Sequence, residues 1–364
     1  MVNKMTKWIY KLTLRDGSGV WAEAKAPAVR NVSYKTKRLF FFLLMGFVNF
    51  TYAEELMKQN EIKSSKIENA EFVQLNNGFR VWTKRIGKGP IKILTLHGGP
   101  GCTHEYFECF EDFFPKDRFQ IIFYDQLGSY YSDQPEDPAL WTVERFCEEV
   151  EQVRKSLGLE NFYLYGQSWG GLLAIEYSLK YQNHLKGVIL SNITGSVESY
   201  ITYLNHLRSE LPRSIQESLS AYEEKEDFLN PEYEKLMFEE VYSRHLCRLK
   251  PWPEPLVRTF SHLNSKVYQT IQGPNEFVVT GNFKSWNRWN DLHKISIPAL
   301  VICGRFDTMN PNDIEKMGSL IPHSTVKICE NGSHCTLFDD QENYFQALHN
   351  FLADVEKNEL ADKQ

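Results

Sequence analysis

The sequence lacks any cysteine pattern for metal binding or redox work. Its seven cysteines (102, 109, 147, 247, 303, 329 and 335) contain no C-x-x-C pair and no Cys/His spacing suited to zinc. An odd count leaves at least one thiol unpaired within the chain. Cys303 and Cys329 fall in apolar runs, where a thiol acts as a small hydrophobe, so structural or inert roles are expected for all seven. Positive charge is scarce too. With 41 Lys and Arg against 47 Asp and Glu the formal net charge is −6, which offers no basic face to nucleic acid. There is no internal repeat, low-complexity tract or long linker. Nor is there an apolar run that spans a bilayer comfortably. The nearest, "KTKRLFFFLLMGFVNFTYA" (35–53), has the basic, apolar and small-residue plan of a secretory signal. Residues 1–34 ahead of it make an unusually long leader, which a start codon assigned too early explains. The expectation is an exported chain, periplasmic or secreted, with no stable membrane span after processing. Without cleavage it is a membrane-tethered or cytoplasmic form. Residues 54–66 read as a polar linker.

What is present is enough apolar material for a large core: 42% of 364 residues are hydrophobic and 14% aromatic. Short β-type runs alternate with helix-type stretches. The strand candidates are "RVWTKRI", "IKILTL", "FQIIFYD", "FYLYG", "GVILSN", "ALVICG" and "TVKIC". The last five are continuous apolar runs, as expected of parallel strands covered on both faces. Amphipathic stretches at 141–157, 170–182, 312–321 and 341–355 supply the covering helices. Between about 196 and 290 the alternation stops. That segment is helix-like, charged and punctuated by proline, with no strong strand until "FVVTG". Strand-type sequence resumes at 299 and still needs the earlier strands as neighbours. The predicted organisation is therefore an α/β core in two parts, 67–195 and 291–358, with a helical lid at 196–290 inserted between strands.

Chemistry enters at "YLYGQSWGGLLAI" (163–175), where Gly166-Gln167-Ser168-Trp169-Gly170 reads G-x-S-x-G at a strand-to-helix junction. That spacing describes a nucleophile on a sharp turn. A serine hydroxyl needs a base, an orienting carboxylate and oxyanion donors. In an open parallel sheet these arrive from loops at the carboxyl ends of strands. "ALVICGRFD" delivers Asp307 and "TVKICENGSH" delivers His334, in the order Ser, Asp, His that this elbow requires. His323 precedes its strand and His349 falls in a helix pattern, so neither is well placed. One oxyanion donor is expected from the N–H of Trp169 and the second from the glycine-rich turn "LTLHGGPG" (94–101). That turn lacks the Lys-Ser/Thr pair of a phosphate cradle.

Together "HGGPG" (97–101), "DQLGSYYSDQP" (125–135), "GQSWGG" (166–171), "GRFD" (304–307) and "GSH" (332–334) resemble the proline iminopeptidases of the α/β-hydrolase superfamily. "QGPNEFVVTG" (272–281) is similar to the branch containing the tricorn-interacting-factor aminopeptidase and proline-amide hydrolases. The resemblance covers roughly 67–355. It implies an α/β-hydrolase fold, a mostly parallel sheet with a helical cap. It also implies release of an N-terminal residue, typically proline, from small peptides, amides or arylamides. Residue by residue, it implies Ser168 as nucleophile, Asp307 and His334 as partners, Gly99 and Trp169 as oxyanion donors, and Glu276 as the acid that grips the substrate's free amino group. Two positions depart from the pattern. Thr308 stands where relatives have a second acid, so the amine is held either by one carboxylate plus neutral acceptors or by another lid acid such as Glu239 or Glu240. Tyr130 and Tyr131 follow Ser129 where Gly-Arg is common, so the preferred N-terminal residue is left open.

Three readings follow. The first is a serine aminopeptidase working through an acyl-enzyme, with no metal and no cofactor. The second is a broader small-ester or amide hydrolase, prolinamide hydrolysis included, without amine recognition. The third is a non-catalytic relative serving as a binding protein, although such chains usually lose a triad member. An epoxide or haloalkane hydrolase needs aspartate at position 168. Oligomeric state is not legible.

Overall fold

The computed structural model describes residues 70–362 of the chain, so the leader 1–34, the candidate signal 35–53 and the linker 54–66 lie outside the described residues. Eight strands form one sheet: β1 (Ala70–Gln74), β2 (Arg80–Ile86), β3 (Ile91–Leu96), β4 (Phe119–Asp125), β5 (Phe162–Gln167), β6 (Leu185–Ser191), β7 (Ala299–Gly304) and β8 (Ser324–Cys329). Their order is β1-β2-β4-β3-β5-β6-β7-β8. β1 and β2 pair antiparallel and β2 joins β4 antiparallel, while every later pairing is parallel.

From β3 to β7 the apolar runs are continuous because both faces are covered, but β8 departs from that expectation: it is the last strand of the sheet and leaves Thr325 and Val326 exposed. Leu94, Ile122, Leu164, Val188 and Val301 enter one buried cluster; their chain neighbours Ile93, Ile121, Tyr163, Ile189 and Leu300 enter another. Alternate side chains of a strand point to opposite faces, so a strand apolar on both faces loses its alternation. Helices α1 (Val143–Leu157) and α2 (Trp169–Tyr181) pack on the first cluster. α1 starts at Thr142, whose hydroxyl accepts from the Arg145 N–H, and stops at Gly158 in the left-handed conformation (φ 61°).

Two further expectations need correction. β1 has no counterpart among the strand candidates. It is an edge strand of five residues that buries only Val73 and leaves Phe72 53% exposed, so its apolar signal is weak. "FVVTG" is not a strand. Its Thr280 and Gly281 amides both donate to Gln272 O, folding the segment back as a turn, while Phe277 packs into the insert.

Between β6 and β7 come α3 (Val197–Ser209), α4 (Arg213–Glu223), α5 (Pro231–Met237), α6 (Glu254–Ser261) and α7 (Ser265–Ile271). α5 runs directly into a π-helix, Phe238–Leu246. Asn230 and Asn264 cap α5 and α7 by accepting from backbone amides. This insert has its own small core of Tyr200, Leu204, Leu219, Tyr233, Met237 and Val241, joined by Met309 from the loop after β7. After β7 and β8 come α8 (Pro311–Leu320) and α9 (Gln341–Asp362).

Candidate active site

Ser168 occupies the single residue between β5 and α2, with φ 57° and ψ −125°. Holding a non-glycine residue there costs about 1–3 kcal/mol, so the surroundings must enforce it. They do so through close approach. A Cβ on Gly170 would lie 1.9 Å from Leu96 O of β3, and one on Gly166 would lie 2.1 Å from Gly170 O. The Ser168 N–H donates to Ser191 O of β6 at 2.9 Å, and the Ser168 carbonyl accepts from the amides of Gly171 and Leu172. The residue is 8% exposed.

The turn after β3 runs alongside. A Cβ on Gly98 would be 3.1 Å from Ser168 Cβ, and Gly99 sits at φ +109°, a region glycine alone adopts readily. Beneath it, the buried His97 donates from Nδ1 to Gly98 O (2.9 Å) and accepts at Nε2 from the Gln126 N–H (3.0 Å). Burial lowers the His97 pKa, against the opposing pull of Asp125, which suits this neutral tautomer. Gln126 also bonds His97 O and accepts from the Trp169 indole, locking the turn to α2. The backbone amides of Gly99 and Trp169 make no hydrogen bond among the described residues. Trp169 N–H is one of the unpaired donors of a helix's first turn.

Asp307 and His334, from the loops after β7 and β8, meet at 2.7 Å between Oδ1 and Nδ1. Asp307 is fully buried; its Oδ1 also accepts from the Met309 N–H at 3.0 Å and its Oδ2 from Asn192 Nδ2 at 2.6 Å. Because the carboxylate only accepts, Nδ1 carries the proton and Nε2 is left as the base. Burial pulls the His334 pKa down, but the charge and hydrogen bond of Asp307, helped by Glu276, push it above its ordinary value. Gln167, next to Ser168, donates to His334 O at 3.0 Å. Ser168 Oγ itself makes no hydrogen bond among the described residues. Such contacts often tighten only when substrate binds.

A narrow cleft joins Gly99, Ser168 and Trp169 to Glu276 of the insert. Its other walls are largely apolar: Leu172, Ile193, Val197, Phe283, Trp286 and Met309. Asp307 and His334 are not among its lining residues. The Glu276 carboxylate accepts from Tyr200 at 2.7 Å and from Tyr268 at 3.0 Å. Burial, then the Glu276 charge, push both phenols well above their ordinary pKa, so they stay protonated donors. Glu276 has no Lys, Arg or His ion-pair partner among the described residues.

The two departures land elsewhere. Thr308 Oγ1 lies 3.3 Å from His334 Nδ1 and 3.4 Å from Asp307 Oδ1, facing that pair rather than the cleft. Glu239 is exposed and Glu240 pairs with Arg244, so neither lid acid lines the cleft. Tyr130 stacks on His262 at 3.8 Å and Tyr131 donates to Glu105 at 2.8 Å, at the seam between core and insert. Asn192, Tyr200 and Tyr268 belong to no short motif and were not predicted; only the folded chain brings them to the site.

Residues 92–341 match the alpha/beta hydrolase fold family. The proline iminopeptidase of Elizabethkingia meningoseptica is 46% identical over 283 residues, covering 76% of this chain and 95% of that protein. The crystal structure of VinJ superposes with a TM-score of 0.76 at 29% identity, over 80% of this chain and all of that one. The proline iminopeptidase of Mycobacterium smegmatis follows at 0.73 and 27% identity, over 79% and 99%. With the elbow, the glycine turn and the Asp–His contact in the order described, the chain belongs to the proline iminopeptidase family of α/β-hydrolases.

Proposed function

We propose that the protein is a serine aminopeptidase that releases an N-terminal residue, proline foremost, from small peptides or amides through an acyl-enzyme. Ser168 Oγ attacks the carbonyl carbon of the first residue while His334 Nε2 takes its proton, and Asp307 steadies the imidazolium. The amides of Gly99 and Trp169 receive the oxyanion. His334 then protonates the departing amine, the ester on Ser168 remains, and water repeats the cycle to free the amino acid.

The observation that carries the exopeptidase reading is Glu276, an acid without a cationic partner among the described residues, held by two phenols in the cleft that contains Ser168. Such a carboxylate suits a substrate ammonium. One charge-assisted hydrogen bond is worth about 1.5–3 kcal/mol, or roughly 10–150-fold in selectivity. The apolar walls suit a compact ring such as that of proline.

A panel of aminoacyl 4-nitroanilides, with free and acetylated amines, tests this. Ser168→Ala removes activity. Glu276→Gln lowers kcat/KM for free-amine substrates by roughly 10–150-fold and narrows their advantage over acetylated ones. Equal cleavage of acetyl-prolyl and prolyl anilide by the wild type would sink the amine-recognition reading and leave the broader hydrolase.

A further inference from the structure

The π-helix of the insert ends against the two loops that carry Asp307 and His334. Its last turn closes with Cys247 N–H on Tyr242 O, after which the chain extends (φ −149°, ψ 123°). Carbonyls at a helix C-terminus lack intrahelical partners and must find others. Here the His245 carbonyl accepts from the His334 N–H at 2.9 Å, and the Leu246 carbonyl accepts from the Cys335 N–H at 2.7 Å and Ser333 Oγ at 3.0 Å. The His245 ring reaches the other loop: Nδ1 donates to Phe306 O at 2.9 Å, one residue before Asp307. A carbonyl cannot donate, so Nδ1 must carry the proton. Burial lowers the His245 pKa, so the ring is neutral with its one N–H committed to this bond.

One residue thus ties the base loop through its backbone and the acid loop through its side chain. We propose that His245 is a positioning residue that sets the Asp307–His334 contact from the cap, a role that rests on the triad proposed above. Nothing in the short motifs marks it: it lies 61 residues before Phe306 in the chain. π-helical turns cost hydrogen-bond geometry and concentrate at functional sites. This one places a carbonyl and a ring N–H of the same residue on two neighbouring loops.

The variants His245→Phe and His245→Asn separate the ring from its N–H. Phenylalanine keeps the ring and loses the donor. Asparagine loses the ring but carries an amide nitrogen at the same position along the side chain. Two readouts are taken on the full chain: steady-state hydrolysis of L-proline 4-nitroanilide across pH, and the rate of Ser168 labelling by a fluorophosphonate. For His245→Phe, kcat and the labelling rate fall about 10–100-fold, because small displacements of catalytic groups are costly, while KM stays within about twofold. Its acidic limb moves to lower pH. The charged groups facing His334 are Asp307, Glu276 and Asp339, and those facing His245 are Asp307, Arg244 and Glu210. Loosening Asp307 lets burial pull the His334 pKa down. His245→Asn recovers most of both rates. His245→Ala replaces the phenylalanine variant if that one does not fold. Wild-type rates and pH profile in the variant without the donor overturn the proposal, as does an asparagine variant as impaired as phenylalanine at equal melting temperature. A wild type that is labelled at Ser168 but leaves the anilide intact removes the aminopeptidase reading alone, and the labelling rates still decide the role of His245.

Discussion

At the scale of single residues, the least forgiving group is the Asp307 carboxylate, fully buried and with one oxygen satisfied only by Asn192. Asn192 holds φ 52° at the end of β6, unusual for a residue other than glycine, and is itself fully buried. Its amide donates to Asp307, to Thr336 Oγ1 at 3.0 Å and to Ser333 O at 3.3 Å, while its oxygen accepts from Ser191 Oγ at 2.6 Å. The amide is thereby oriented from both ends. Asn192→Ala leaves Asp307 Oδ2 without a donor in a dry place, which costs about 1–3 kcal/mol of stability. It also frees the carboxylate to turn, so kcat falls about tenfold or more while KM changes little. Urea unfolding and anilide kinetics measure the two effects. A variant as active and as stable as wild type would show that Met309 N–H and His334 suffice to hold the acid.

At the scale of elements, the seam between insert and core is built around Glu105, fully buried in the turn after the glycine loop. Thr103 and His262 each meet its Oε2 at 2.7 Å, and Tyr131 (2.8 Å) and Arg258 (3.2 Å) donate to Oε1. Burial raises the Glu105 pKa, but His262, Arg258 and Thr103 together lower it to about 2 from an ordinary 4.5. A carboxyl depressed in the folded state stabilises above its unfolded pKa, and that stability is lost as pH falls toward the folded one. Acid unfolding between pH 4.5 and about 2 is therefore steeper in wild type than in Glu105→Gln, which removes this titration. Parallel stability curves for the two proteins over that window would exclude it. These elements also mark what a sequence discloses. Strands β2 to β8 are legible because each carries enough local strand-type character to announce itself. Asp307 and His334 are legible because strand ends in a parallel sheet share one edge. Asn192 and His245 are not, because their partners are set by which strands become neighbours and by where the insert returns. "FVVTG" misleads because its Thr280 and Gly281 amides bond Gln272 O rather than a neighbouring strand, a fold-back that Gly281 permits, since a Cβ there would lie 1.9 Å from Ile271 O.

At the scale of the whole molecule, the cleft is a joint product of distant pieces: the turn after β3, the elbow after β5, α3 and the 272–286 stretch of the insert. A ligand that reaches all of them should couple insert to core. A prolyl boronic acid does this, because its boron accepts Ser168 Oγ to form a tetrahedral adduct, one boron oxygen meets the amides of Gly99 and Trp169, and its free amine meets Glu276. At a hundred times its dissociation constant such a ligand adds about 2.7 kcal/mol to folding stability by mass action, seen as a higher melting temperature. The N-acetylated boronate, which cannot offer an ammonium, binds roughly 10–150-fold more weakly. Glu276→Gln brings the two ligands together, and Ser168→Ala loses the adduct with both. Hydrogen exchange gives the spatial answer: protection rises at the elbow and also in 197–209 and 265–281, where the donors to Glu276 reside. Protection confined to the β5–α2 elbow, with the insert exchanging as before, would mean that the amine is held by something other than Glu276.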